Sequence, residues 1–240
     1  MLVWLASYPR SGNHLLRTIL SRSFDLGSYE IYQRIARPVT AEVASAVGAL
    51  TFAEPSNEAF LQRARAAGDL FLVKTHDAVP GGDRAIYVVR DGRAALVSYQ
   101  RYLTEVEHKT RTLRQLVRGR HWPGPWHSHV ERFLARDPAN TLVLRYEALA
   151  SGHPPLDAIA AFLKVPVRRP FDVTFRELND IDPKIFPTGS NDAGIAIVER
   201  DCAARFWRAC GQTMDRLGYA RPAPPRLAPR LAGWLSGFLR

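Results

Sequence analysis

Apolar residues come in short unbroken runs along this chain, and most runs lead through a polar turn into apolar positions at helical spacing. Residues 2–6 ("LVWLA") run into Ser7, Tyr8, Pro9, Arg10, Ser11, Gly12 and Asn13, after which Leu15, Leu16, Ile19 and Leu20 recur at the period of a helix face. Further runs stand at 70–74 ("LFLVK"), 85–89 ("AIYVV") and 141–146 ("TLVLRY"). Amphipathic stretches follow at about 93–106 and 156–163, and one more helix is predicted from about Ala193 through "VERDCAARFWRACGQTMDRLGY". Continuous rather than alternating apolarity marks strands covered on both faces, and helical crossovers of this length join parallel neighbours. The pattern predicts a single α/β domain over 1–220, with a central parallel sheet flanked by helices. A Pro- and Arg-rich tail follows over 221–240.

Composition narrows the partners. The chain has 240 residues, 46% of them hydrophobic, enough for one sizeable core without a linker between domains. Thirty-three Lys and Arg against 23 Asp and Glu give a net charge of +10, which favours anionic ligands. Cys202 and Cys210 form neither a disulfide framework nor a metal spacing, and read as reduced thiols. No stretch reaches the ~18 apolar residues of a membrane span. The first apolar run is shorter than a signal-peptide core, so a cytoplasmic location is expected.

In an open parallel sheet, ligands gather where strand ends lead into helices. The stretch "SYPRSGNHLLR" holds such a place. Its turn N–H groups and the positive end of the helix dipole form an anion cradle, and Gly12 lets the backbone approach the ligand closely. Arg10, Ser11 and Asn13 add donors. An ordinary turn in which Ser11 or Asn13 caps the helix accounts for the same residues. The Walker A pattern fails, because no glycine stands upstream and no Lys follows Gly12. In "YVVRDGRAALVSYQRY", Arg90 ends a strand and Ser98 lies a little over two helical turns on, so the pair can hold a second anion from strand end and helix. An Asp91-capped helix start, with Arg90 solvated, is the plain alternative.

Taken in order, with "LVKTH" between them, these segments resemble the sulfotransferase family that uses 3′-phosphoadenosine 5′-phosphosulfate (PAPS). Tyr8, Pro9, Arg10, Ser11, Gly12, Asn13 and His14 are similar to its 5′-phosphosulfate loop. Arg90, Ser98 and Tyr99 are similar to its 3′-phosphate segment, and Lys74, Thr75 and His76 to its catalytic strand end. "GPWHSHV" (124–130) and "LRYEAL" (144–149) also resemble family segments, and the likeness runs to about residue 175. It implies a P-loop-like nucleotide fold and PAPS as co-substrate, with 3′,5′-ADP as product and no metal. His76 would be the general base, Lys74 would lie near the transferring sulfonate, and Arg10 would face the leaving group. Ser11, Gly12, Asn13 and His14 would hold the 5′ side, Arg90 and Ser98 the 3′-phosphate, and Tyr146 the adenine. His129 reads as structural or as lining the acceptor pocket.

The likeness breaks in two places. Leu15 stands where many relatives carry a Trp that stacks on adenine, and "FPTGSNDAG" (186–194) puts Pro187 and Thr188 where a basic pair would bind the 3′-phosphate. Phe186 and Gly189 are the remains of that segment. Segments 34–68 and 104–126 are expected to wall the acceptor site. The acceptor implied is a hydroxyl or amine on a small molecule, with lipid and glycan behind it and nucleic acid not expected. Three rivals stand beside this reading: a P-loop-type kinase using ATP, a nucleotide- or nucleic-acid-binding module, and a sulfotransferase-like protein without activity. In the tail, Leu231, Trp234, Leu235 and Phe238 form one apolar stripe beside Arg226, Arg230 and Arg240. Such a segment suits an anionic membrane surface or packing on a protein face.

Overall fold

The computed structural model describes residues 1–32, 40–187 and 191–221. Acceptor-wall positions 34–39, Thr188, Gly189 and the striped tail 226–240 lie outside the described residues. The chain opens with β1 (Leu2–Ser7), α1 (Asn13–Phe24) and β2 (Tyr29–Glu30), followed by the short α2 (Ala41–Ala46) and α3 (Asn57–Ala66). Next come β3 (Phe71–Thr75), β4 (Arg84–Val89), α4 (Gly92–Glu105), α5 (Leu113–Val117) and α6 (Trp126–Leu134). The last strand, β5 (Thr141–Arg145), leads into α7 (Tyr146–Leu149), α8 (Leu156–Leu163), α9 (Phe175–Ile181), α10 (Asn191–Asp201) and α11 (Ala203–Arg216).

All strand pairs are parallel, in the order β2-β3-β1-β4-β5. The unbroken apolar runs are explained by burial on both faces. Trp4 and Ala6 enter one core cluster with Val73, Tyr87, Phe60, Trp126 and Phe206, while Val3 and Leu5 enter the other with Leu16, Ile19, Leu72 and Ile86. Period-2 geometry sends neighbours to opposite faces, so both must be apolar. This arrangement brings the carboxyl ends of β3, β1 and β4 side by side at one edge.

Three local features depart from the sequence pattern. A two-residue strand, β2, borders the sheet and carries no periodicity that a sequence reader can use. Tyr146 starts a helical turn instead of ending β5. The single helix expected from Ala193 is two helices, because Cys202 takes an extended φ of −154° between them. That break turns Phe206, Cys210 and Met214 of α11 into the core. Both cysteines are free and buried.

Candidate active site

The loop after β1 closes with a hydrogen bond from Ser11 N to the Tyr8 carbonyl (3.1 Å), and places Arg10 (φ 65°) and Gly12 (φ 103°) in the left-handed region. Gly12 is required twice over. Its φ suits glycine, and a Cβ there would stand 2.6 Å from Tyr146 Cδ2. Neither Ser11 nor Asn13 caps α1: the N-cap is Gly12, with no side-chain bond to the first turn. Asn13 donates backward to the Leu5 carbonyl (2.8 Å) and to Ser7 Oγ (3.3 Å), tying the helix start to β1. Ser11 Oγ is buried and lacks a hydrogen-bond partner among the described residues. An uncapped helix start beside an orphaned hydroxyl is a fitting place for an anion.

Arg10, expected to face the leaving group, turns instead toward Ser98 and Arg90. Its Nε donates to Ser98 Oγ (3.3 Å), its Nη2 to the carbonyls of Lys184 (2.9 Å) and Ile185 (3.3 Å), and its guanidinium stands over the Tyr102 ring. Arg90 Nη1 donates to the Arg10 carbonyl (3.1 Å), so Arg10 joins Arg90 to Ser98. Burial pushes the Arg10 guanidinium down to about 10, with Arg90 adding to the effect. The Tyr146 ring lies against Gly12 and carries the Arg90 guanidinium 4.2 Å above it. Arg90 is 7% exposed, so it is not a solvated surface charge. Asp91 does cap α4, accepting from Arg93 N at 2.9 Å, and also pairs with the Arg93 guanidinium at 2.7 Å.

At the end of β3, Lys74 Nζ pairs with Glu30 Oε1 at 2.6 Å across the β2–β3 register, and Glu30 also pairs with Arg17. Burial lowers the Lys74 ammonium; Glu30 opposes that shift and Arg17 adds to it. His76 Nδ1 lies 2.8 Å from the Ser7 carbonyl oxygen, which makes Nδ1–H the donor and leaves Nε2 as the basic nitrogen. Burial first, then the Lys74 charge, hold the imidazole well below 6.5. His129 donates Nε2–H to the His76 carbonyl (2.9 Å) and accepts from the Tyr87 hydroxyl at Nδ1 (2.9 Å), so it supports the His76 backbone. His14 is likewise held neutral by burial, its ring edge-on to Phe186.

Beside His76, Trp122 comes from the segment 104–126 expected as an acceptor wall, whereas sequence reasoning missed Tyr32 and Asp77. Tyr32 stacks on the imidazole at 11°, and Trp122 packs edge-on to both rings. Asp77 pins the two walls, accepting from the Tyr32 hydroxyl (2.7 Å) and the Trp122 indole (2.8 Å). Adjacency to His76 was the one available signal for Asp77. A cavity of about 190 Å³ beside the first turn of α1 was missed as well; it is lined mainly by Leu15, Leu149, Phe171, Val173, Phe175 and Leu178. Its one readable mark was the capping box of Thr174 and Glu177 that opens α9. Among the described residues, no cluster of His, Cys, Asp and Glu is arranged to hold a metal ion, and no helix is long and apolar enough to cross a membrane.

Solved structures share this architecture. A mouse sulfotransferase, SULT7A1, complexed with PAP matches with a TM-score of 0.50 at 21% identity, covering 75% of this chain. This chain spans 62% of that protein's length. Retinol dehydratase in a complex with retinol and PAP matches with a TM-score of 0.59 at 16% identity, over 89% of this chain and 81% of that one. Retinol dehydratase with androsterone and PAP gives 0.56 at 16% identity, over 93% and 82%. At such identities the likeness speaks for the fold. No curated protein matches the chain in sequence. The model of the sulfotransferase domain family, however, matches residues 2–178, from β1 into α9 and across the segments that carry Arg10, Lys74, His76, Arg90 and Ser98, and the chain belongs to that family.

Proposed function

We propose that residues 1–220 form a sulfotransferase domain that moves a sulfuryl group from PAPS to a hydroxyl or amine of a small molecule, with His76 as general base. The observation that carries this reading is the meeting of three features at neighbouring ends of β3, β1 and β4: an uncapped helix start, a cluster of half-buried Arg10 and Ser98 with buried Arg90, and a neutral histidine with Nε2 available. Two separate anion sites suit a nucleotide with phosphate at both ends.

The residues fit the co-substrate in kind. Ser11 Oγ has an unmet hydrogen-bonding need beside the α1 amides, which suits the 5′-phosphosulfate. Arg90, Ser98 and Arg10 suit the 3′-phosphate, and the apolar cavity by Leu15 and Phe175 suits the adenine; Tyr146, expected at the adenine, is not among the residues that line this cavity and stands under Arg90 instead. PAPS supplies an activated sulfuryl group on a phosphate leaving group. His76 Nε2 takes the acceptor's proton, and its ring is oriented for this by the Ser7 carbonyl. Lys74 brings positive charge next to His76, where the transferring oxygens crowd. Tyr32, Trp122 and Asp77 wall the acceptor side. The complexes of retinol dehydratase with retinol and androsterone support a small-molecule acceptor; lipid and glycan are the further classes that the assay below includes.

The test is transfer of ³⁵S-sulfonate from PAPS to a panel of small phenols, alcohols, amines, a sterol and a short glycan, run beside γ-³²P-ATP with Mg²⁺. Sulfonation of any member, with no phosphorylation, supports the reading. Phosphorylation alone would assign a kinase, and silence across the panel together with tight 3′,5′-ADP binding would assign a sulfotransferase-like binding protein.

A further inference from the structure

Arg90 is oriented by a chain of side chains that the proposed chemistry does not use. Its Nε donates to Asn191 Oδ1 (2.9 Å), and Asn191 Nδ2 donates in turn to Glu147 Oε1 (3.0 Å). Glu147 is a hub: it also accepts from Asp91 N (3.3 Å) and from the Tyr219 hydroxyl (2.9 Å), and Arg145 Nε lies 3.8 Å from its Oε2. The amide can stand only one way round. Flipped, it would set two N–H groups against the guanidinium and a carbonyl oxygen against a carboxylate.

A carboxylate in direct contact with Arg90 would orient the guanidinium equally well, but it would also neutralise it. Here Glu147 and Asp91 act on Arg90 through space, and Asn191 stands between the guanidinium and Glu147 so that no carboxylate bonds to it directly. We propose that Asn191 is a positioning residue that acts through Arg90: it passes the orientation set by Glu147, Asp91 and Tyr219 to the guanidinium while keeping a carboxylate out of direct contact with it, so that the guanidinium stays open to a phosphate. The inference rests on the reading of Arg90 as a phosphate ligand. It assigns the start of α10 to the nucleotide site, although Asn191 itself is a neutral side chain with both amide ends engaged.

The test compares 3′,5′-ADP with 5′-AMP by calorimetry on the full chain, its Asn191→Asp and Asn191→Ala variants, and Arg90→Ala. The wild type should prefer 3′,5′-ADP. Asn191→Asp, nearly the same in shape, puts a carboxylate on Arg90 and should cut that preference by at least about tenfold, with 5′-AMP affinity within about threefold of wild type. Asn191→Ala frees the guanidinium without neutralising it and should cut the preference less. A merely structural role would weaken both nucleotides in parallel, leaving the ratio unmoved. That result, or an Asn191→Asp variant with the wild-type ratio, overturns the inference. If the Asp variant fails to fold, an unchanged ratio in Asn191→Ala does so instead. A wild type with no preference for 3′,5′-ADP refutes the phosphate reading of Arg90 itself.

Discussion

His76 has one nitrogen committed to the Ser7 carbonyl and the other available, and a half-buried position under the charge of Lys74 that keeps it uncharged. The sign of that shift sets the pH dependence. A base with a depressed pKa stays competent as pH falls through the usual histidine range, so the acid limb of kcat/KM should lie well below 6.5. Lys74 is lowered from 10.5, and if its charge assists transfer the alkaline limb should begin below that value. A rate–pH profile that drops between pH 7 and 6 would contradict this placement of His76. His76→Ala should lose about 10²–10⁴-fold in kcat and leave 3′,5′-ADP affinity within about threefold, read by the sulfonation assay beside calorimetry. His76, Lys74, Arg90 and Ser98 were legible because each stands in a motif with fixed spacing. Glu30, Tyr32, Asp77 and Asn191 were not, since they join the site through β2, a loop and the start of α10, which have no such spacing.

The loop from Tyr8 to Gly12 shows how an element's geometry rather than a side chain makes a site. With φ at 103° and Tyr146 filling the space where a Cβ would go, Gly12→Ala must either strain the backbone by about 1–2 kcal/mol or displace the ring under Arg90. We expect 3′,5′-ADP affinity to fall at least about tenfold in Gly12→Ala. Gly81→Ala, where a Cβ meets open space, should bind like wild type. Equal behaviour of the two variants would show that the loop does not read the ligand. The strands β1, β3, β4 and β5 were visible because burial on both faces demands unbroken apolar runs. The break at Cys202 was invisible, since "VERDCAARFWR" keeps helical composition on both sides and only tertiary packing turns α11 toward the core.

Burial of neutral histidines gives the domain a stability that depends on pH. His129 is held down to about 4 by its buried setting, while its unfolded value is 6.5. Between these two values the unfolded chain binds a proton that the native state refuses, so stability is full above pH 6.5 and is lost as pH falls toward 4. The shift corresponds to ~3 kcal/mol at most for this one group. Urea unfolding at pH 7 and pH 4.5 should therefore show a smaller loss on acidification in His129→Gln than in wild type; equal losses would remove His129 from the balance. The net charge of +10 fits an anionic ligand but does not identify one, and the parallel sheet was legible without saying what it binds. The enclosure around His76 was legible only in part: Trp122 stands in the segment 104–126 expected as a wall, while Tyr32 comes from a distant loop that no linear pattern joins to it.

The proposed function requires a site that takes a nucleotide carrying phosphate at both its 3′ and 5′ ends. Thermal unfolding with equal concentrations of 3′,5′-ADP, 5′-AMP, and ATP with Mg²⁺ tests it without knowledge of the acceptor, because a ligand bound to the native state alone raises its stability. Charged hydrogen bonds from Arg90 and Ser98 at about 1.5–3 kcal/mol each predict a preference for 3′,5′-ADP over 5′-AMP of roughly a hundredfold in affinity. The largest Tm rise should come from 3′,5′-ADP and should shrink to the 5′-AMP level in Arg90→Ala. A melt in which ATP with Mg²⁺ stabilises most, or in which Arg90→Ala leaves the order unchanged, would contradict the account.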